Sequence, residues 1–486
     1  MVNADELCEL IAAHPEWLIV REAGRAFPIE SELIKIETDS GKYRFAFLDD
    51  KGWHTWRLNS TTLDGREIAI DVSAAFGDKR EAIRLVPRTP AAELSAEIEF
   101  ARLQKANEIA SLVAAHFPDC KIERVALNVE SGRLAQVTFE AADRVPMAAI
   151  ADVTGKLTVE ATFTASMLWL DKLGLRKKKP INDLLIVAEK RAAKNAQKLH
   201  ALLTERWKSK ISIAEIDRKA EPAKLVDLPK RKVRDLWRQR SRRFRLPEHP
   251  PTTKTSQKVI ELAPDEIDLV YSRQGETLRF MGLPFARVRE MMGKETAWFG
   301  VGRERRVLDE ETFDDLAQLV DDLKLNRSPD APNRRHRLYR TAPEAWIESI
   351  LRRDIRLLDA NLILSPIYNQ FRSSNDKIDL LAIRRDGRLV IVELKTQPDR
   401  ESVFQAADYW RKIELQRRRG DLDAANLFDG RDILDKPTLV YLAAPAWSFH
   451  REFEYFARSI TPDIELWRFE LHQDWRQEVK VVARER

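Results

Sequence analysis

The chain has 486 residues, of which 44% are hydrophobic and 33% are charged, a balance typical of a soluble globular protein with two to four domains. Its 83 basic and 78 acidic residues nearly cancel, so the net charge of +5 identifies no partner by itself. The two cysteines, Cys8 and Cys120, exclude a disulfide framework and a cysteine-rich zinc site. The sequence has neither a signal-peptide pattern nor an apolar run of about 18 residues, so we expect a cytoplasmic protein without a membrane span.

Residues 1–88 predict a β-rich N-terminal domain. A short helix over residues 4–14 precedes five alternating stretches, at 31–38, 43–48, 55–58, 67–72 and 82–86. The aromatic residues of this domain favour either of two roles, stacking on single-stranded nucleic acid or the more usual filling of a β core. They are Tyr43, Phe45, Phe47, Trp53 and Trp56.

Residues 89–246 predict a mixed α/β domain. Helices are expected over 90–116, 158–173 and 188–207, and strands over 122–129, 134–140, 184–187 and 211–216, the last closing a βαβ-like unit. The domain ends in a basic stretch, 230–245, with nine basic residues against one acidic residue and two interleaved aromatic residues. This stretch is typical of a surface that binds nucleic acid, with Arg238, Arg240, Arg242 and Arg243 as contacts, or of a solvated linker.

Residues 247–256 are rich in Pro and Thr and predict a linker without regular structure. A small α/β domain follows over 257–326, with strands near 267–271, 277–280 and 297–300 and a helix over 310–323. Residues 326–333 contain two prolines and predict a hinge. No Walker A, His-Glu-x-x-His or Gly-x-Ser-x-Gly sequence occurs, so ATPase, zincin and α/β-hydrolase functions lack support.

Residues 334–486 carry the pattern with the most chemical content. A helix is expected over 343–353, strands over 361–371, 377–384 and 389–396, a helix over 399–419 and a strand over 438–443. The second and third strands flank an Asp-Gly turn and read as a β-hairpin. The hairpin can bring Asp379 beside Glu393, and strand alternation gives Glu393 and Lys395 the same face.

Two carboxylates in an apolar setting repel each other and lose solvation, so a hard divalent cation such as Mg²⁺ would offset that cost. Lys395 would then stabilise developing negative charge or orient a water. The alternative is a surface ion-pair cluster, which the apolar strands around these residues disfavour.

This arrangement, Asp379 followed by Glu393-x-Lys395, resembles the motif of the PD-(D/E)XK nuclease superfamily. Within it, residues 335–486 look most like the C-terminal domain of NucS-type endonucleases, through Asp379-Leu-Leu, a Gly turn, Glu-x-Lys and Gln405-x-x-x-Tyr409. The resemblance implies a restriction-endonuclease-like αβββαβ core. The whole chain is then an α/β and α+β multidomain protein with β-rich and mixed α/β domains N-terminal to that core.

The resemblance also implies roles for individual residues. Asp379, Glu393 and the Leu394 carbonyl would bind Mg²⁺ or Mn²⁺, and Lys395 would assist catalysis. The first helix would add an acidic residue, Glu344 or Glu348. Glu344, just after Pro343, matches the NucS-like position better, although it could instead complement the helix dipole. Gln405 and Tyr409 would face the site or the nucleic-acid backbone, or simply pack. Arg335 and Arg337, just before the first helix of this domain, could contact substrate.

The expected function is therefore metal-dependent hydrolysis of phosphodiester bonds, in DNA by the resemblance, in repair or in defence against foreign DNA. An RNA nuclease on the same fold and a non-catalytic nucleic-acid-binding platform remain open, because the same phosphodiester occurs in both nucleic acids and a fold does not prove activity. The resemblance suggests a homodimer, while the sequence itself leaves the oligomeric state open.

Overall fold

The computed structural model describes residues 4–21, 26–39, 42–49, 52–73, 80–88, 91–238, 251–272, 275–291, 294–302, 305–365 and 379–486. The chain is a mixed α/β protein with two compact units, Met1–Ala101 and Arg102–Arg486. Within the described residues there are four β-sheets, one in the first unit and three in the second. None of the helices described is both long enough and apolar enough to cross a membrane.

The first unit contains helix α1 (Ala4–Ala12) and a seven-stranded antiparallel sheet in the order β2-β1-β7-β6-β5-β4-β3. Its strands are β1 (Glu16–Arg21), β2 (Ala26–Glu30), β3 (Ile34–Asp39), β4 (Lys42–Asp49), β5 (Gly52–Asp64), β6 (Glu67–Ser73) and β7 (Arg80–Pro87). Phe45 and Phe47 are buried in its core, whereas Tyr43 and Trp53 remain 40% and 48% exposed. Filling of a β core is therefore the role of the two phenylalanines.

The second sheet has the order β13-β12-β11-β10-β9-β8, and its central strands β10, β11 and β12 run parallel. Its strands are β8 (Lys121–Leu127), β9 (Leu134–Glu140), β10 (Pro146–Asp152), β11 (Asp183–Glu189), β12 (Ile211–Asp217) and β13 (Lys224–Asp227). Its helices are α2 (Ala91–His116), which includes the boundary between the two units, α3 (Val159–Gly174), α4 (Lys190–His200) and α5 (Glu205–Lys210). Strands β10 and β13 have no counterpart in the sequence prediction.

The single helix predicted over 188–207 is wrong, because the chain leaves helical geometry between α4 and α5. There the Thr204 amide donates to the Ser459 carbonyl at 2.8 Å, and the Leu202 carbonyl accepts from the Thr461 amide at 2.6 Å. Leu202 and Leu203 are fully buried. Backbone bonds to a distant segment thus replace the helical bonds that local propensity favours.

The third sheet has the order β14-β15-β16-β17-β18 and is antiparallel throughout. Its elements are α6 (Lys254–Ile260), β14 (Ile267–Ser272), β15 (Gly275–Phe280), β16 (Leu283–Met291), β17 (Lys294–Phe299), β18 (Arg306–Leu308) and α7 (Phe313–Asn326).

The prediction of a linker over 247–256 is corrected at its C-terminal end, where a helix begins. Residues 247–250 lie outside the described part of the chain. Helix α6 begins at Lys254, and the Thr253 hydroxyl caps it by accepting from the Ser256 amide at 3.2 Å. Glu276 on β15 accepts from the Thr253 amide at 3.0 Å and from the Thr253 hydroxyl at 2.5 Å. Hydroxyl side chains that suggest a loop here serve as helix caps and as donors to a buried carboxylate.

The predicted hinge over 326–333 is a fixed corner, because Arg327 within it is fully buried. Its guanidinium donates to the carbonyls of Leu338 at 2.8 Å, Thr341 at 2.6 Å and Met281 at 2.9 Å. It also lies 4.8 Å from the centre of the Trp346 ring. Burial lowers the pKa of Arg327 to about 9, so the side chain remains charged at neutral pH. One cation therefore joins three segments.

The fourth sheet has the order β19-β20-β21-β22-β23-β24, in which β21, β22 and β23 are mutually parallel and the other pairs are antiparallel. Its strands are β19 (Leu362–Leu364), β20 (Leu380–Arg384), β21 (Leu389–Leu394), β22 (Leu439–Pro445), β23 (Glu465–Leu471) and β24 (Val481–Glu485). Its helices are α8 (Arg337–Arg340), α9 (Pro343–Arg353), α10 (Ser402–Arg418), α11 (Asp421–Ala424) and α12 (Phe453–Ala457). The predicted strand over 361–371 begins as β19, but residues 366–378 lie outside the described residues, and β23 and β24 were not predicted.

Two apolar cores cover the faces of this sheet, one toward α9 and one toward α10. The core on the α10 side continues into that of the second sheet, where the rings of Phe163 on α3 and Phe404 on α10 are 6.3 Å apart. The Tyr455 hydroxyl donates to Asp171 on α3 at 2.6 Å. The second and fourth sheets therefore share one hydrophobic core, although the sequence suggests separate domains.

Among the described glycines, Gly282 has the least room for a Cβ, and it lies where the third sheet packs against α9. A Cβ at this position would lie 1.8 Å from the carbonyl oxygen of Ala345, and φ is +77°. Gly430 has nearly the same φ, +78°, with open space around it. Gly282→Ala should destabilise the protein by about 3 kcal/mol or more, because steric overlap adds to the backbone strain.

Gly430→Ala is the matched control and should cost about 1 kcal/mol, since it introduces the strain alone. The measurement is the urea midpoint of unfolding of each variant. Equal losses for the two variants would contradict the close packing of the third sheet against α9.

His200 makes folding stability depend on pH. Its side chain is 2% exposed, its Nε2 lies 2.9 Å from the Ile211 carbonyl, and burial lowers its pKa from 6.5 to about 4. Below pH 6.5 the unfolded chain binds a proton at His200, whereas the folded chain does not bind it until the pH reaches about 4. The contribution of His200 to stability is therefore complete above pH 6.5 and is lost as the pH falls toward 4. The loss should reach about 3 kcal/mol. His200→Gln should flatten the dependence of the unfolding free energy between pH 6.5 and 4, and an unchanged slope would exclude this role.

Candidate active site

The candidate site lies at the edge of the fourth sheet where three parallel strands end. The carboxyl ends of β21, β22 and β23 meet there, which is the edge where open α/β sheets bind ligands. Val392 and Leu394 belong to the core on the α9 side, so the alternating residues Glu393 and Lys395 face α10. The Glu-Leu-Lys segment that ends β21 therefore projects its charged groups toward one helix.

Asp379 and Glu393 meet across the β20–β21 hairpin. Asp379 immediately precedes β20, whose Leu380 pairs with Val392, and its Oδ2 accepts from the Leu394 amide at 2.8 Å. Glu393 is 3% exposed. Its Oε1 lies 3.0 Å from the Lys395 Nζ, whereas its Oε2 is buried without a hydrogen-bond partner among the described residues. Among the described residues, one buried carboxylate oxygen of the site is thus left without a partner.

The charges of the site oppose one another strongly. Burial, and after it the neighbouring charges of Asp379 and Glu344, raises the pKa of Glu393 well above its ordinary value. Burial disfavours the charged form of Lys395, but Glu393 and Asp399 outweigh it and raise the pKa of Lys395. The site therefore contains more negative charge than one lysine balances.

Lys395 is held in place by three partners. Its Nζ lies 3.0 Å from Glu393 Oε1 and 3.1 Å from Asp399 Oδ2, and it donates to the Gln405 side-chain oxygen at 2.8 Å. Gln405 lies in the first turn of α10, so the helix fixes the position of the cation. The structure thus places Gln405 beside Lys395.

A cleft of about 460 Å³ opens over these groups. It is lined by Thr158, Glu160, Glu344, Asp379, Glu393, Lys395, Gln405, Asp408, Tyr409 and Lys412. The structure thus brings together all the predicted carboxylates except Glu348, and it adds Asp408 and Lys412 from α10. Burial, and then Glu393 and Asp379, raises the pKa of Tyr409, which keeps its phenol protonated.

Thr158 and Glu160 come from the start of α3, and the sequence prediction missed them. The Thr158 hydroxyl caps α3 by accepting from the Ala161 amide at 3.0 Å and donates to Glu401 at 2.6 Å. Burial, and then Asp408 and Glu401, raises the pKa of Glu160. Nothing in the local sequence relates this turn to a motif more than 200 residues away, because only the shared core brings them together.

The two acidic residues of α9 have different surroundings. Glu344 is in the first turn and lines the cleft. Glu348 is buried, 3.6 Å from Arg279 on β15 and 3.5 Å from Arg352. The prediction that placed Glu348 in the site is corrected, since its carboxylate binds arginines away from the cleft.

The donor set is compatible with a hard cation. Among the described residues, no three His, Cys, Asp or Glu side chains are close enough to form a complete ligand cluster. Mg²⁺ nevertheless prefers one or two carboxylates together with water and substrate phosphate oxygens. The unpartnered Glu393 Oε2 beside Asp379 fits that preference, while the role of the Leu394 carbonyl stays a prediction.

Of the predicted nucleic-acid contacts in the basic stretch, Arg238 is exposed at the end of a 3₁₀ turn, and Arg240, Arg242 and Arg243 lie outside the described residues. Trp237 is not available for stacking on a base. Its ring lies 5.7 Å from that of Trp410, and the Arg418 guanidinium lies 5.0 Å from its centre.

A second and larger groove, of about 1110 Å³, crosses the third sheet and reaches the start of α8. We call it the arginine groove because Arg287, Arg289, Arg305 and Arg337 line it together with Trp298, and none of its described lining residues is acidic. Arg287 pairs with Trp298 across β16 and β17. Arg289, Arg305 and Arg337 form no ion pair with any described carboxylate. Of these arginines the sequence predicted only Arg337, because pairing within the third sheet brings Arg287 and Arg289 to the groove. Arg335 is exposed and does not line the groove.

No family model matches the chain, and no curated protein is similar to it in sequence. Two solved structures are similar in part. One is EndoMS in its apo form, with 11% identity over 40% of this chain and 91% of that chain and a TM-score of 0.15. The other is a repair endonuclease from Pyrococcus abyssi, with 10% identity over 44% of this chain and 96% of that chain and a TM-score of 0.16. TM-scores this low do not establish a common fold.

Proposed function

We propose that the chain is a metal-dependent nuclease that hydrolyses phosphodiester bonds of DNA in the cleft beside β21. The observation that carries this proposal is the buried Glu393 Oε2, which has no hydrogen-bond partner among the described residues and lies next to Asp379 and Lys395. An unpaired buried polar atom costs about 1–3 kcal/mol, and at Glu393 that cost is added to the repulsion from the neighbouring Asp379. Leaving one unpaired suggests a site that is completed by a ligand.

The order of elements supports the finer assignment to the PD-(D/E)XK fold. Helix α9 is followed by β19, β20 and β21, then by α10 and β22, with β21 and β22 parallel. That is the αβββαβ order which the resemblance implies. The carboxylates and the lysine come from its central hairpin, as the motif requires.

Each residue of the cleft then has a chemical task. Asp379, Glu393 and the Leu394 carbonyl would bind Mg²⁺ or Mn²⁺, which when bound polarises a phosphate and lowers the pKa of a bound water. The Lys395 ammonium, fixed by Asp399 and Gln405, stabilises negative charge that develops on the phosphate oxygens. The Tyr409 phenol and the Gln405 amide orient the substrate from α10.

The arginine groove supports a polyanionic substrate. Four arginines without an acidic residue in the lining match a phosphate backbone, and Trp298 provides a face for a base. The resemblance to NucS-type endonucleases favours DNA. The phosphodiester chemistry of the cleft is common to RNA, so substrate class has to be measured.

The first prediction from this proposal concerns cleavage. Wild type should cut at least one member of a panel of single-stranded, duplex, flapped and mismatched DNA and single-stranded RNA with Mg²⁺ or Mn²⁺, and nothing in EDTA. Asp379→Asn should lose cleavage by about 100-fold or more, as should Lys395→Met, because each removes charge stabilisation from the site. Calorimetry should show weakened Mn²⁺ binding only for Asp379→Asn.

The two glutamates of α9 provide the matched control. Glu344→Gln should reduce cleavage at unchanged stability, since Glu344 lines the cleft, whereas Glu348→Gln should reduce stability. Metal-independent cleavage, or full activity of Asp379→Asn, would exclude the proposed site. Cleavage of RNA alone would assign the same site to an RNA nuclease, and binding without cleavage of any substrate would favour a platform.

The second prediction concerns salt dependence. The double variant Arg289→Gln/Arg337→Gln should bind DNA more weakly, and the slope of log affinity against log salt should fall by about 1.5, because about 0.7–0.9 is lost per phosphate contact. Arg191→Gln/Arg458→Gln changes net charge equally at exposed sites outside the groove and should keep the slope. Equal slopes for the two double variants would show that the groove does not contact the backbone. The measurement is fluorescence anisotropy over a range of salt concentrations.

A further inference from the structure

Trp447 has an exposure that its role in packing does not explain. It lies in a 3₁₀ turn, Ala446–Ser448, directly after β22, and it is 85% exposed. No other aromatic side chain in the described part of the chain is so exposed, the next being Phe100 at 62%. Tryptophan is on average highly buried, since its ring has the largest apolar area to remove from water. An indole left in solvent therefore suggests a partner outside the protein.

The backbone around Trp447 is fixed. The Ser448 hydroxyl donates to the Thr396 carbonyl at 3.0 Å. With the Gln473 amide in its hydrogen-bonded orientation, its oxygen accepts from the Trp447 amide at 2.8 Å and from the Ala446 amide at 3.3 Å. Exposure of the indole is therefore not the result of a loose loop.

The next aromatic residue in the chain shows the contrast. Phe449 packs inward, with its ring 5.1 Å from that of Phe453 and the Arg468 guanidinium 4.4 Å from its centre. The turn therefore anchors one ring in the protein and presents the other to solvent. A side chain presented on a fixed backbone loses little entropy when a ligand binds to it.

Trp447 also lies at the sheet edge that carries the cleft. Strands β21 and β22 are parallel, and the Lys395 amide donates to the Ala443 carbonyl at 3.0 Å. Thr396, which accepts from Ser448, directly follows Lys395. Trp447 is thus next in the chain to Ser448, whose side chain is bonded to the residue that follows Lys395.

We propose that Trp447 stacks on an unpaired base of the nucleic-acid substrate close to the bond that is cut, an inference that rests on the proposed nuclease function. Stacking on an aromatic ring is tolerant of sequence because every base has a π face. A base that stacks on Trp447 has left its own duplex neighbours, so the preferred substrate has a single-stranded segment at the cleft. Trp447 is in this view a positioning residue, since it touches the substrate away from the reacting atoms.

The test measures binding in EDTA, where no cleavage occurs, with a labelled single-stranded oligonucleotide and with an abasic oligonucleotide of the same length and charge. Trp447→Ala should weaken binding of the first by about 5- to 150-fold and leave binding of the second unchanged. Trp447→Phe should restore most of the loss. Phe100→Ala, which removes the next most exposed aromatic ring among the described residues, should bind both as wild type does.

Equal binding of the base-bearing oligonucleotide by Trp447→Ala and wild type overturns the proposal, as does an equal loss on both oligonucleotides. Cleavage assays run in parallel separate this outcome from failure of the nuclease function. If wild type cuts and Trp447→Ala binds normally, the stacking role falls and the nuclease stands. If wild type cuts nothing but Trp447→Ala shows the base-dependent loss, the stacking role stands and the nuclease falls.

Discussion

The carboxylate of Glu393, buried beside Asp379, is the constraint on which the fourth sheet depends. Two like charges in a region of low dielectric are unfavourable, and hydrogen bonds and an ammonium group from neighbouring residues offset part of that cost. The Leu394 amide binds Asp379, and Lys395 binds one oxygen of Glu393 while Asp399 and Gln405 fix its ammonium. The hairpin, the following loop and the first turn of α10 are therefore required together.

The parts of the site that lie close in the chain could be predicted from the sequence. Asp379, Glu393 and Lys395 fall on two short apolar strands around an Asp-Gly turn, so pairing and alternation alone bring them together. The resemblance favours Glu344 over Glu348, but the sequence does not say what Glu348 does one helical turn away. Only the position of Arg279 on β15 shows which carboxylate is used for packing.

The remaining features depend on contacts between distant segments, which no local pattern reports. The break between α4 and α5 follows from backbone bonds to residues 459–461, and the corner at Arg327 follows from carbonyls on both sides of it. Thr158 and Glu160 reach the cleft because α3 and α10 share a core. For the same reason this wall of the cleft cannot swing away as a lid, since movement of α3 would expose Phe163 and Phe404 to water.

The corner formed by Arg327 and the close approach at Gly282 set the distance between the arginine groove and the cleft. The buried guanidinium joins the turn after β15 to the segment that leads into α9, and the arginine groove and the cleft belong to the same compact unit. A nucleic acid bound in the arginine groove and cut in the cleft would therefore be bound and cut at two points a constant distance apart. The number of nucleotides between the bound phosphates and the cut would then be set by the fold and not by the nucleotide sequence.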